Sequence, residues 1–249
     1  MITGGGRGIG RACAERLARA GFQVAVAGRT EAPLDETVRA IESGGGHALA
    51  VQLDVASAPS VTAAFERVQR ALGPVAVLVN NAGVAPSAPF EKISLDEFRR
   101  TLEVNLTGAF LCTQAALPGM LEAKWGRVIN VASTAARQGY RYTAAYCASK
   151  HGLLGLTRAL ALEVARKGVT VNALCPGWTD TEMLQASVER IHATTGQTAE
   201  QARAALAGMN PMGRIISPQE VAEGAAYLAS DAAGAITGQA LGIDGGEVM

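Results

Sequence analysis

The sequence lacks most features that mark a membrane, metal or disulfide protein. No apolar run reaches the ~18 residues that a membrane helix needs. The N-terminus shows no charged-then-apolar leader pattern. Cysteine is scarce and dispersed. Cys13, Cys112, Cys147 and Cys175 form no CxxC pair, which argues against a zinc cluster or disulfide framework and fits a reducing compartment. The three histidines, His47, His151 and His192, share no ligand spacing, so no metal is expected. Net charge is absent too. Lys plus Arg number 22 against 22 Asp plus Glu, so neither nucleic acid nor a membrane surface is an expected partner. No repeat, low-complexity linker or internal boundary divides the chain. What remains is 249 residues, 49% hydrophobic, enough for one substantial core and expected to be soluble and cytoplasmic.

Short β-branched runs alternate with amphipathic stretches. Residues 24–27, 48–53, 75–80, 128–131 and 169–174 read as strands, several apolar on both faces, as a parallel sheet between helix layers requires. Residues 11–20, 33–43, 60–72, 95–121 and 144–166 read as helices. Pro33 suits a first helical turn, and Pro118 is expected to kink or end helix 95–121. The alternation predicts an α/β fold with a doubly wound parallel sheet, one domain over residues 1–249. Only Met1 and Ile2 precede Thr3, short of the ~5–6 residues of a usual strand. The first strand is therefore expected to be clipped or to lack a few N-terminal residues, the second being preferred. Residues 178–214 are polar and helix-prone and follow a strand's carboxyl end, so they are expected to form a lid. Trp178, Met183, Leu184, Leu206 and Met209 are candidates for its apolar wall, and Gly196, Gly208 and Gly213 for hinges.

Three motifs carry chemistry. Thr3-Gly4-Gly5-Gly6-Arg7-Gly8-Ile9-Gly10 opens a helix after a strand. Glycines let backbone approach a pyrophosphate, and the helix N-terminus offers it free N–H groups, as in a Rossmann-type fold. Gly4, Arg7, Gly8, Ile9 and Gly10 are thus candidate cofactor contacts; the alternative is a tight turn with no ligand. The next strand ends in Ala27-Gly28-Arg29-Thr30. A fold preferring NAD places a carboxylate at this point, where Gly28 stands instead. Arg29, with Arg7, can chelate a 2′-phosphate, which predicts NADP(H). Two ordinary surface arginines are the alternative. In Tyr146-Cys147-Ala148-Ser149-Lys150, the i and i+4 residues share one helix face. An ammonium there can lower the pKa of a phenol, about 10 when unperturbed, towards useful acid–base chemistry.

Together with Asn80-Asn81-Ala82-Gly83, Asn105, Ser133 and Pro176-Gly177, these motifs stand in the order and spacing of the short-chain dehydrogenase/reductase family, which the chain resembles over nearly its whole length. The resemblance implies that Ser133 holds a substrate carbonyl oxygen and Tyr146 exchanges a proton with it. It implies that Lys150 lowers the Tyr146 pKa and binds the nicotinamide ribose, and that Asn105 holds a water linking Lys150 to solvent. Asp54 and Val55 would flank the adenine, and Asn81, Ala82 and Gly83 would line a ribose. Thr179 and Thr181, after Pro176-Gly177, would bind the carboxamide and phosphate side of the cofactor, with Pro176 and Gly177 as further contacts. The family also implies a homotetramer, in which helices 95–121 and 144–166 form an intersubunit bundle.

Within the family the chain most resembles 3-oxoacyl-thioester reductases and their polyketide ketoreductase relatives; Asn130-Val131-Ala132-Ser133-Thr134 and Ala148-Ser149-Lys150-His151-Gly152 resemble the latter, whose Pro-Gly-Gly stretch is replaced here by Gly83-Val84-Ala85-Pro86-Ser87. The implied substrate is a small carbonyl or alcohol, an acyl thioester on a carrier protein or CoA. Arg127 and Lys167 match positions that dock a carrier. Sugar, steroid or other alcohol dehydrogenases share the same catalytic set, and a non-catalytic dinucleotide sensor is the rival from a different class.

Overall fold

The apolar runs become seven strands of one parallel sheet, and the computed structural model describes residues 1–249. The strands are β1 (Ile2–Thr3), β2 (Val24–Gly28), β3 (Ala48–Gln52), β4 (Val77–Asn80), β5 (Gly126–Val131), β6 (Val169–Pro176) and β7 (Ala240–Ile243). Across the sheet they run β3-β2-β1-β4-β5-β6-β7. The helices are α1 (Gly8–Arg19), α2 (Glu31–Ser43), α3 (Ala58–Leu72), α4 (Leu95–Leu102), α5 (Gly108–Ala123), α6 (Ala144–Val164), α7 (Glu182–Thr195), α8 (Ala199–Ala207) and α9 (Pro218–Ala229). Successive side chains of a strand point to opposite faces, and both faces here are covered. Val24 and Val26 therefore join Cys13, Leu17 and Val221 in one core, while Ala25 and Ala27 join Phe65, Cys112 and Val164 in the other. Each fully buried Val or Leu contributes about 1.5–3 kcal/mol. The order reverses between β1 and β4, so their carboxyl ends flank a crevice, the usual ligand position in such sheets.

The first strand is two residues long, as the short run before Thr3 led us to expect, and is held by pairing with Val26 and Ala27 on one side and Val79 on the other. Other expectations need correction. The stretch 95–121 is not one regular helix. A π-helical turn, Glu103–Thr107, separates α4 from α5. Pro118 lies inside α5, which runs on to Ala123. It does not end the helix because Gln114 and Pro118 are both exposed, so the carbonyl freed by the missing N–H faces solvent. Helix α9 and strand β7 complete the sheet beyond the elements read from the sequence. The α9 start carried a readable signal: Ser217 and Glu220 form a reciprocal capping box.

A buried polar chain locks α6 to the sheet. The Asn80 amide on β4 donates to Thr113 Oγ1 and to Asn130 Oδ1, both at 2.9 Å. Asn130 on β5 then donates to Thr157 Oγ1 of α6 at 2.8 Å. All four side chains are buried. Replacing Asn130 with Val keeps the strand but leaves the Asn80 amide short of an acceptor, at a cost of about 1–3 kcal/mol. Urea unfolding of Asn130→Val should show a lower midpoint at unchanged slope; an unchanged midpoint would remove this chain as a stabilising element.

Candidate active site

The crevice is assembled around the glycine turn. Gly4 has φ of +64°, in the left-handed region. A Cβ on Gly10 would stand 2.2 Å from the Gly4 carbonyl oxygen, so only glycine fits there. The end of β4 staples the turn in place. Thr3 Oγ1 accepts N–H bonds from Asn81 and Ala82, each at 3.0 Å, and the Asn81 side chain donates to the Thr3 and Gly4 carbonyls at 3.0 and 3.1 Å. Asn81 thus shapes the turn with its side chain. No side chain caps the first turn of α1, whose free N–H groups suit a pyrophosphate. Arg7 and Arg29 are exposed and join no ion pair, which leaves both guanidiniums available to a phosphate. These residues fit a phosphorylated dinucleotide. At the end of β3, the Asp54 carboxylate accepts from Ala56 N–H at 3.1 Å, and Val55 is buried beside Gly108. Val55 therefore packs the core with its side chain.

On the other side of the crevice the candidate catalytic residues converge. The π-helical turn carries Asn105, whose side chain exchanges bonds with both backbone groups of Val84, at 2.8 and 2.9 Å. It also donates to Ser149 Oγ at 2.9 Å, so it brackets the loop after β4 against α6. A Cβ on Gly83 would lie 3.2 Å from Asn105 Oδ1. Tyr146, in the first turn of α6, lines the same cavity wall as Ser133, whose Oγ accepts from Ala135 N–H at 3.1 Å. One turn on, Lys150 is buried, donates to the Val131 carbonyl at 2.7 Å and lies 5.7 Å from the Tyr146 ring centroid. Burial pushes the Tyr146 phenol up, and the neighbouring Ser133 hydroxyl pulls it part of the way back. Cys175 is fully buried below the cluster, where burial pushes its thiol up and keeps it unreactive.

A cavity of about 600 Å³ opens in front of Tyr146. Trp178, Met183, Leu184, Leu206 and Met209 all line it, as read from the sequence. The segment holding them folds as α7 and α8 around a small core of its own, Leu184, Val188, Ala202 and Leu206. Thr179 and Thr181 bond to the backbone two residues before them, and the Thr181 methyl group rests against Gly8 of the cofactor turn. Of the three glycines taken as hinges, Gly196 and Gly213 have positive φ, whereas Gly208 is the ordinary cap residue after α8. The loop before α6 adds Tyr140 and Tyr142 to the wall, which the sequence did not reveal. Tyr140 donates to Glu247 at 2.5 Å and accepts from Gln138, an anchor formed across 107 residues of sequence.

Arg127 is not a docking residue. It is buried on β5, stacked 4.4 Å over the Trp125 ring and paired with Asp231. Both Arg127 and Lys167 lie at the amino-terminal ends of strands, while Tyr146 stands at the carboxyl ends in the same chain.

Burial without a carboxylate partner brings Lys150 down to about 8. An unfolded chain keeps this proton up to about 10.4. Between those values the unfolded state binds more protons, so stability rises with pH, and below about 8 the buried ammonium weakens the fold. Lys150→Met should therefore unfold at higher urea than wild type at pH 7, with turnover lost, and the gap should narrow from pH 8 to 10. A variant less stable at pH 7 would refute this account of Lys150.

Comparison with known proteins agrees with this geometry. Residues 4–247 match a family model described as enoyl-(acyl carrier protein) reductase. The chain is 38% identical over 247 residues to an acetoacetyl-CoA reductase of Rhizobium meliloti, covering 99% of this chain and 97% of that one. Against a 3-oxoacyl-[acyl-carrier-protein] reductase of Pseudomonas aeruginosa the identity is 35% over 249 residues, covering 100% and 96%. The crystal structure of an actinorhodin polyketide ketoreductase variant with NADPH superimposes with a TM-score of 0.96 at 41% identity, covering 99% of this chain and 95% of that one. Similarity over nearly the whole chain, to the family model, to curated reductases and to the solved ketoreductase, makes this chain an oxidoreductase of the short-chain dehydrogenase/reductase family.

Proposed function

We propose that the chain is an NADP(H)-dependent reductase that converts the ketone of a 3-oxoacyl thioester, on CoA or an acyl carrier protein, to a secondary alcohol. The observation that carries the reading is the convergence of Ser133, Tyr146 and buried Lys150, 5.7 Å from the Tyr146 ring, at the back of a largely apolar cavity. The relatives named as acetoacetyl-CoA and 3-oxoacyl-[acyl-carrier-protein] reductases support the thioester class. Gly28 in place of an acid, with Arg7 and Arg29 exposed beside it, supports the phosphorylated cofactor.

When bound, the reduced nicotinamide supplies the hydride; the chain supplies position, charge and a proton. The Ser133 hydroxyl orients the ketone oxygen, and Tyr146 OH donates the proton that oxygen needs as it becomes an alkoxide. Lys150 offers positive charge behind the phenolate left on Tyr146 and a donor towards the ribose. Asn105 keeps α6 and the loop after β4 in register, which preserves this spacing. Residues 178–214 act as a lid, and Met183 and Met209, both partly exposed, are adaptable partners for an acyl chain. The exposed Phe110 on α5 and Leu162 on α6 support assembly of these helices into a homotetramer.

Oxidation of NADPH with acetoacetyl-CoA, compared with aldoses and steroid ketones, tests the function; turnover of only the latter compounds would overturn the thioester class. Tyr146→Phe should lower kcat about 10²–10⁴-fold while NADPH still binds. A variant with a tenth or more of wild-type kcat would remove Tyr146 as proton donor.

Cofactor choice has its own test. Wild type should prefer NADPH to NADH in kcat/KM, and Arg29→Ala should lose about 10–100-fold with NADPH alone, as loss of one charge-assisted contact requires. Equal values for both cofactors in wild type would overturn the NADP(H) assignment.

A further inference from the structure

The charges around the cavity point to a second recognition element. No Asp or Glu lines it, and its charged residues are Lys150, Arg141 and Arg190. Lys150 is buried at the back, whereas Arg141, on the loop before α6, and Arg190, on α7, are exposed. Other arginines of this region are neutralised: Arg203 forks onto Asp180 at 2.8 and 3.1 Å, and Arg214 pairs with Glu220. Arg141 and Arg190 join no ion pair.

Helical geometry fixes where Arg190 stands. Met183, Ser187 and Arg190 all line the cavity and follow one face of α7 at steps of four and three residues. From Met183 to Arg190 is seven residues, about 10 Å along the axis. The helix begins beside the cofactor turn, where Thr181 meets Gly8. Arg190 is thus carried away from the nicotinamide side, towards the end of the cavity where a substrate's tail would lie. Arg141 and Arg190, exposed on separate elements of a cavity wall that holds no acid, suit a phosphate or carboxylate that arrives with the ligand.

We propose that Arg141 and Arg190 form an anion seat at the cavity mouth, which binds an oxyanion that the substrate carries at a distance from its reacting carbonyl. The inference deepens the thioester reading and rests on it only for the source of the anion, the phosphate of a pantetheine-type handle rather than a carboxylate.

The test uses two pairs of ketones that differ only in charge. One pair is 3-oxobutanoyl-CoA and the phosphate-free 3-oxobutanoyl-N-acetylcysteamine; the other is 4-oxocyclohexanecarboxylate and its methyl ester. The variant is Arg141→Gln with Arg190→Gln, its fold verified by thermal melting and by an unchanged KM for NADPH. The double variant should lose about 10–100-fold in kcat/KM for the CoA thioester, through KM, while the N-acetylcysteamine thioester is unaffected. A loss confined to 4-oxocyclohexanecarboxylate and absent from its methyl ester, with no thioester reduced by wild type, would keep the seat and overturn the thioester reading. Equal losses in both members of a pair, or no loss in any, would overturn the seat. Titration of CoA and of 4-oxocyclohexanecarboxylate into NADPH-loaded protein reads the seat without turnover. Binding weakened at least ~10-fold in the double variant supports it, by the same charge-assisted contacts, and unchanged or absent binding overturns it.

Discussion

The site depends on the closure made by Thr3 and Asn81 across the reversal point of the sheet. Strand β1 contributes only two residues, yet its last hydroxyl accepts the N–H groups of both Asn81 and Ala82. The Asn81 amide returns two bonds to the carbonyls at the start of the glycine turn. Strand and turn on one side are thereby fixed to the loop after β4 on the other. From that loop the order passes through Val84 to Asn105, from Asn105 to Ser149, and along α6 to Tyr146 and Lys150. The cofactor seat and the proposed proton donor are two ends of one hydrogen-bonded frame, in which each link is short and local.

Holding charge in this frame has a thermodynamic cost. The protein keeps Lys150 buried with a single carbonyl acceptor and no carboxylate in reach, and burial also raises the Tyr146 phenol, against which the Ser133 hydroxyl acts. A carboxylate beside Lys150 would stabilise the fold but would also cancel the positive charge that a phenolate needs. The cores on the two faces of the sheet carry the difference, and the Asn80–Asn130–Thr157 chain holds α6 still while they do so.

Much of this was legible in the sequence, because backbone requirements leave strong marks. Glycines at 4 and 10, the strand–helix alternation and the Tyr146–Lys150 spacing each follow from geometry that few other residues satisfy. All five residues expected on the apolar wall are on it. Failures arose where long-range contact decides the outcome. The π-helical turn that aims Asn105 has no local signature, and exposure on α5 made Pro118 harmless. Arg127 looks like any surface cation in the sequence and is buried through Trp125 and Asp231, a partner 104 residues later. Tyr140 was missed for the same reason, since its anchor is the C-terminal Glu247.

The contact between Thr181 and Gly8 sets how this protein can diversify. A methyl group at the start of α7 fills the space that a side chain at Gly8 would need, so the first turn of the substrate-facing helix and the cofactor turn share one boundary. Neither can be enlarged or shifted without displacing the other. The far end of α7 has no such tie: it stops at Gly196 in a left-handed conformation, with exposed residues on both sides. New substrate preferences are therefore accessible by rebuilding the distal half of α7 and its connection to α8, and they leave the cofactor untouched. Changes at the proximal turn reach the glycine turn as well, so along α7 the distal end is the freer one to vary.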